Sequence, residues 1–188
     1  LGMIAGFIIL RLRNILGRKT GNETKIYPNF AERKFTVPKS TAKSFKQNHE
    51  VLEGNEKKEF LQGAEIAYET ILTSFANGDD KKLKSLLTSN MVSNFEEAIS
   101  IRNKENIKSE FTFIGVKESS VEKYEKIKNE LYASVKFVSE VISVKRDKEN
   151  KIIEGNPDKI KQVIDYWKFT RNVLNKSPNW YLSEIVSK

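Results

Sequence analysis

A chain of 188 residues with 38% hydrophobic and 31% charged residues, including Phe 11, Tyr 6 and Trp 2, holds one domain with a buried core plus an additional segment, which excludes wholesale disorder. Cys 0 and His 1 exclude disulfides, thiolate metal sites, cysteine nucleophiles and any multi-histidine centre, and no cofactor is expected; the single His49 sits among polar neighbours as an ordinary exposed side chain. The formal net charge of +8 is uneven, because residues 1–54 carry ten Lys/Arg against four Asp/Glu while the remainder carries 23 against 21. The basic excess therefore belongs to the N-terminal segment, and its favoured partner is a membrane with anionic phospholipid. No nucleic-acid partner is expected, since the globular part lacks a basic stripe interleaved with aromatics.

Residues Leu1 to Leu10 are uncharged and almost wholly apolar. They are too few to span a bilayer unaided, because a spanning helix needs about 20 such residues. Arg11, Arg13, Arg18 and Lys19 follow directly, the order expected on the cytoplasmic flank of a span and the reverse of a cleaved signal peptide. Residues 1–16 are read as the C-terminal part of a transmembrane anchor, with an interfacial helix or a buried core helix as alternatives. The four basic residues are the candidate membrane-binding set. The positive-inside rule then gives a single-pass protein with everything after Arg11 on the cytoplasmic side.

Residues 17–54 read as a basic flexible linker, with Gly17, Gly21, Pro28 and Pro38 among Lys, Asn, Ser and Thr. Phe30 and Phe35 are its candidate for a short partner-binding motif. The folded domain is expected over 55–188. Its first helix shows Phe60, Ala64, Ala67, Ile71 and Phe75 on one stripe, widened by Leu61, Tyr68 and Leu72. Gly78 is placed to cap it in the left-handed region, and Asp79 or Asp80 to open a second helix that buries Leu83, Leu86 and Leu87. Ser89 or Asn90 is expected to cap a third helix from Met91 to Lys104, carrying Phe95, Ala98 and Ile99.

The period then changes to alternation. Glu110 to Val116 puts Phe111, Phe113 and Gly115 on one face and Thr112, Ile114 and Val116 on the other, and a polar extension to Ile127 has Val121 and Ile127 as anchors. Lys128 and Asn129 form a turn. Leu131 to Val144 is the clearest strand, with Leu131, Ala133, Val135 and Phe137 alternating; beyond Phe137 the pattern blurs, which predicts a bulge or burial on both sides. Turns at 147–150 and 154–158 flank a brief pairing segment at Ile152 and Ile153. A second long strand from Ile160 to Val173 aligns Val163, Asp165, Trp167, Phe169 and Arg171. A last strand from Asn179 to Val186 turns Trp180 and Leu182 inward. Three helices followed by a meander predict an α+β domain with helices on one face of an antiparallel sheet.

The run Phe60 to Leu87, then Phe95-Glu-Glu-Ala-Ile99 and Arg102, resembles the opening of the Tim44-like domain family, which includes a subunit of the mitochondrial inner-membrane translocase and its TimA-type bacterial relatives. Further matches are Phe113-Ile-Gly115, Val135-Lys-Phe137-Val-Ser-Glu140, Glu154-Gly155, Asp165-Tyr-Trp167-Lys-Phe169-Thr-Arg171 and Ser177-Pro-Asn-Trp180-Tyr-Leu182, in colinear order, with Leu10-Arg-Leu-Arg13 resembling the anchor flank. The resemblance implies a nuclear-transport-factor-two-like cone, in which three helices cover a strongly curved antiparallel sheet around an apolar pocket. It also implies a non-enzymatic docking role linked to protein transport or membrane-protein assembly, with translocation or chaperone machinery as partner.

Two groups of residues carry whatever chemistry the domain has. Asp165, alternating with Trp167 and Phe169, points inward; Tyr68 is the hydroxyl nearest to it in this reading, and Arg102 or Arg171 its possible ion-pair partner. No second acid or histidine partners it, so no catalytic site is assigned. Tyr68, Phe75, Phe95, Phe113, Phe137, Trp167, Phe169 and Trp180 are the candidate lining of a pocket for a lipid tail or apolar peptide, against the simpler reading of a closed core. The competing function is a cone that binds or converts a small apolar ligand.

Overall fold

The computed structural model describes residues 52–186, in which the switch from a helical to an alternating period is the switch from one layer to the other. The elements are α1 (Gly54–Asn77), α2 (Asp80–Leu86), α3 (Ser89–Lys104), β1 (Lys108–Ile127), β2 (Glu130–Arg146), β3 (Ile152–Gly155), β4 (Lys161–Asn172) and β5 (Tyr181–Val186). The expected anchor at 1–16, all of the linker but its last residues, and Arg11, Arg13, Arg18 and Lys19 lie outside the described residues. Among the described residues no helix is long and apolar enough to cross a membrane.

The stripe on α1 buries Phe60, Ala64, Tyr68, Ile71 and Phe75. Tyr68 and Ile71 are fully covered, while Ala67, expected in the stripe, lies at its margin. Each large side chain removed from water in this way contributes about 1.5–3 kcal/mol. The helix stops where the sequence says it must. Gly78 adopts φ 70°, its N–H bonds Phe75 O at 3.3 Å, and the Asp79 N–H bonds Ser74 O at 2.8 Å, the paired bonds of a Schellman ending. Asp79 then caps α2 by accepting from the Lys82 N–H at 3.2 Å. The cap of α3 is Thr88, not Ser89 or Asn90. The Thr88 N–H is bonded to Leu182 O at 3.0 Å on β5, and this tertiary bond fixes where the helix begins.

Among the described residues the five strands pair antiparallel, in the order β1-β2-β4-β5 with β3 also on β2, and a lone parallel bridge joins Leu87 to Leu182. β1 has 20 residues and β2 has 17, and they pair over their full lengths. The difference is taken up by bulges at Ile114, Lys117 and Glu122, all on β1. A bulge bends its strand and increases local twist, so three in succession curl the sheet. The first of them overturns the predicted facing of Val116: Ile114 turns out to solvent and Val116 joins Phe113 on the core side. Of the two expected anchors, Val121 packs on the core, joined there by Tyr124, whereas Ile127 is 53% exposed.

On β2 the blurred alternation is burial on both sides, since Phe137, Val138 and Ser139 are all covered and the register with β4 is unbroken. The turn at Lys128 uses φ 56°, and that at Asn150 uses φ 65°. Trp180 precedes β5 instead of opening it, yet it packs inward against Phe60 at 4.8 Å. The core is one cluster: the α1 stripe, Leu83, Leu87, Met91, Phe95, Ala98 and Ile99 from the helices, and Ala133, Val135, Phe137, Trp167, Phe169, Leu182 and Ile185 from the sheet.

Two glycines separate backbone need from mere presence. Gly155 has φ 89°, and a Cβ there would lie 2.1 Å from Ser143 O on β2. Gly63, inside α1, would place a Cβ in open space. Gly155→Ala is expected to detach β3 and destabilise by about 1–3 kcal/mol, whereas Gly63→Ala stabilises by about 0.5–1 kcal/mol. Urea unfolding of the two variants beside the parent checks both signs.

Candidate functional site

Among the described residues, the buried polar constellation that joins the two layers is built from three elements. α1 presents Tyr68, two turns beyond Phe60 on the same stripe. β4 presents Asp165, and β2 presents Ser139, which pairs with Val163 one position from Phe137 and Asp165 on the same inner face. The Tyr68 hydroxyl donates to Asp165 Oδ2 at 2.5 Å. A phenol has a single hydrogen, so with the carboxylate ionised the 2.9 Å contact between Tyr68 and Ser139 is one in which the serine donates. Asp165 is 2% exposed and Tyr68 and Ser139 are fully covered.

Burial dominates the electrostatics. It pushes the Asp165 carboxyl up from 3.8 to about 6, against the hydrogen bond from Tyr68, which acts to lower it. The phenol is pushed above its ordinary range, first by burial and then by the Asp165 charge beside it. Tyr68 is therefore a neutral donor across the accessible pH range, and Asp165 is an acid that changes charge near pH 6. Asp165 Oδ1 and the Trp167 Nε1–H, both buried, have no hydrogen-bond partner among the described residues. Neither arginine offered by the sequence meets the carboxylate. Arg102 instead donates from Nη1 to Phe75 O at 3.0 Å and lies 5.4 Å from the centre of the Phe75 ring. Half-buried at the C-terminal end of α1, its guanidinium is held by the helix dipole and shifted downward by desolvation.

The eight aromatic residues picked from the sequence divide into groups. Tyr68 stacks on Phe137 with ring centres 4.3 Å apart and meets Trp167 edge-on at 4.7 Å and Phe113 at 5.9 Å. Phe169 joins this group through Phe137 and Trp167. Phe75 and Phe95 pair at 5.2 Å at the far end of α1, and Trp180 pairs with Phe60 at the near end. Phe113 and Trp180 are partly covered and the other six are buried. Ser139 and Phe60 belong to this neighbourhood and were not among the residues expected. Phe60 was legible from its place in the stripe; Ser139 has no local signal. Among the described residues no cluster of His, Asp and Glu is arranged to hold a metal ion.

Compared with known families, residues 41–187 match the Tim44-like domain. No curated protein matches the chain. Among solved structures it is similar to the intermembrane space region of the chloroplast protein ARC6, with a TM-score of 0.46 and 11% sequence identity over 68% of this chain and 97% of that one.

The raised carboxyl sets a pH dependence whose sign is fixed. Between 3.8 and about 6 the folded chain holds a proton on Asp165 that the unfolded chain has released, so this group's contribution to stability is full below 3.8 and is lost as pH rises through 6. The loss is about 3 kcal/mol, complete by pH 7. Asp165→Asn is expected to flatten the stability profile over that window, whereas Tyr68→Phe, which strips a bond from two buried groups, destabilises by about 1–3 kcal/mol. Urea midpoints measured from pH 4 to pH 8 check both.

Proposed function

Because this chain belongs to the Tim44-like domain family, we propose that it is a membrane-associated, non-enzymatic adaptor that docks a protein partner of the transport or membrane-protein-assembly machinery. In this reading residues 1–16 anchor the chain in a bacterial inner membrane, 17–54 form a basic tether, and the domain from 55 onward is a nuclear-transport-factor-two-like cone on the cytoplasmic side. The observation that carries the reading is the family match, which runs from residue 41 to residue 187 and so takes in every described helix and strand.

The charge distribution supports a division of labour. Residues 52–186 hold 22 Lys/Arg and 22 Asp/Glu, a net charge of zero, so the attraction for anionic headgroups resides before the domain. Arg11, Arg13, Arg18 and Lys19 would each add about 1 kcal/mol near such a surface. The setting of Asp165 supports a structural use of that acid: its one bonded oxygen is engaged by Tyr68 and its surroundings are aromatic. One observation favours a second reading, a cone that takes a small apolar ligand. Asp165 Oδ1 and Trp167 Nε1 are buried and have no hydrogen-bond partner among the described residues, which leaves hydrogen-bonding capacity that a ligand group could use.

The full-length chain is expected to co-float with cardiolipin-containing vesicles at low salt, and replacing Arg11, Arg13, Arg18 and Lys19 with Gln is expected to weaken the interaction and its salt dependence. A chain that stays freely soluble under those conditions defeats the reading. Site-directed crosslinking in cells then identifies the neighbouring protein, with a transport or assembly component as the expected product. Unchanged cellular activity in Asp165→Asn counts against the ligand-converting alternative.

A further inference from the structure

At the end of the domain where β1 turns into β2, two loops lie side by side. The Val173 N–H, just past β4, donates to Asn129 O at 2.9 Å, and Asn172 Nδ2 donates to Glu130 Oε1 at 2.5 Å. The second loop is further shaped by its own side chains: the Leu174 N–H is held by Asn172 Oδ1 at 2.8 Å and the Ser177 N–H by Asn175 Oδ1 at 3.1 Å. The paired loops hold aliphatic side chains in water. Leu174 is 73% exposed, Ile127 53% and Val173 37%. Between and beside them lie the exposed Lys126, Lys128 and Lys176, and residues 126–129 and 173–179 contain no acid.

Apolar tips ringed by lysines have a specific complement. An aliphatic side chain gains by entering acyl chains, and the lysines beside it gain from anionic headgroups at the depth where those chains begin. The acids that flank the tips are held by neighbours on the domain: Glu125 pairs with Lys123 at 2.7 Å, Glu130 accepts from Thr170 and Asn172, and Glu56 and Glu59 on the exposed first turns of α1 bracket Lys57 and Lys58.

The route of the chain gives an independent reason to face this end toward a membrane. Phe60 packs on Phe169, which is level with Ala133 of β2, while Tyr68, further along α1, stacks on Phe137, further along β2. The helix and the strand therefore run the same way, and α1 begins at the end where the two loops lie. The basic N-terminal segment enters the domain there.

We propose that the loops at 126–129 and 173–179 form a lipid-inserting tip, with Ile127, Val173 and Leu174 entering the interface of an anionic bilayer and Lys128 and Lys176 contacting its headgroups. This rests on the membrane association proposed above and adds to it the face of the domain that meets the lipid.

The chain has Cys 0, so a single introduced cysteine reports one position. Full-length Leu174→Cys and Ile127→Cys are labelled with a polarity-sensitive fluorophore, with Ile66→Cys on α1 and Ile164→Cys on the outer face of β4 as equally exposed controls. Each is mixed with vesicles of phosphatidylcholine and phosphatidylglycerol in equal parts carrying acyl-chain spin labels. The expected result is quenching at 174 and 127 severalfold greater than at 66 and 164, abolished by adding Lys128→Glu and Lys176→Glu while the chain still floats with the vesicles. Flotation with tip labels as aqueous as the controls overturns the tip alone. No flotation overturns the membrane reading and the tip with it. Shielding at 174 without vesicles, rising with protein concentration, identifies a second copy as the occupant and also overturns the proposal.

Discussion

Twenty residues of β1 have to pair with seventeen of β2, and the arrangement of the whole domain depends on how that mismatch is absorbed. A flat sheet has no place for three surplus residues. Inserted as bulges at Ile114, Lys117 and Glu122, each bends β1 and adds twist, and the sheet closes toward the helices. The curl draws the adjacent strands β1, β2 and β4 around one helix. That is the situation of Tyr68, whose ring meets Phe113, Phe137 and Trp167, one from each strand.

Within that hollow the apolar contacts are non-directional, and by themselves they leave α1 free to rotate or slide a little over the sheet. The hydrogen bonds from Tyr68 to Asp165 and from Ser139 to Tyr68 are directional. They require this rotation of α1 and this register of β2 on β4. A slip of one residue in β4 would carry Asp165 to the outer face and bring Ile164 or Tyr166 inward, leaving the phenol without its acceptor. The cluster is costly, since the carboxylate is desolvated without a cation to offset it. Its contribution is therefore to the uniqueness of the packing, and the same desolvation is what makes Asp165 responsive near pH 6.

The elements that the sequence shows clearly are those whose pattern is local. α1 declares itself by its stripe and by Gly78, and β2 and β4 by strict alternation from Leu131 to Phe137 and from Val163 to Arg171. β1 is different, because each bulge reverses the facing of everything after it, and no single residue marks a bulge. Val116 was consequently assigned to the wrong face and Ile127 to the core. The inward position of Asp165 and its proximity to Tyr68 were legible, since both lie on recognisable apolar faces. Ser139 was not: a serine in a valine-rich strand becomes significant only once the β2–β4 register and the rotation of α1 are known. The tip is illegible for the same reason, as Asn129 and Val173 are joined by a bond between distant parts of the chain.

A neutral domain behind a strongly basic leader raises a question of orientation that charge alone cannot answer. Attraction between exposed charges fades over about 8 Å at physiological ionic strength, so in the proposed reading the basic residues before Leu52 would draw the chain to an anionic surface without dictating which side of the domain faces it. Orientation then has to come from short-range contacts on the domain. Its large exposed aliphatic side chains elsewhere are Ile66 on α1, Ile114 on β1, Ile164 on β4, and Ile152, Ile153 and Ile160 around β3 and the loop before β4. Ile127, Val173 and Leu174 sit on two loops joined by the bond from the Val173 N–H to Asn129 O, beside lysines, at the end where the chain enters α1. A leader attached at the opposite end would have to fold back along the domain to let these tips reach lipid; attached here, a tether and a tip of the proposed kind would draw the domain down together.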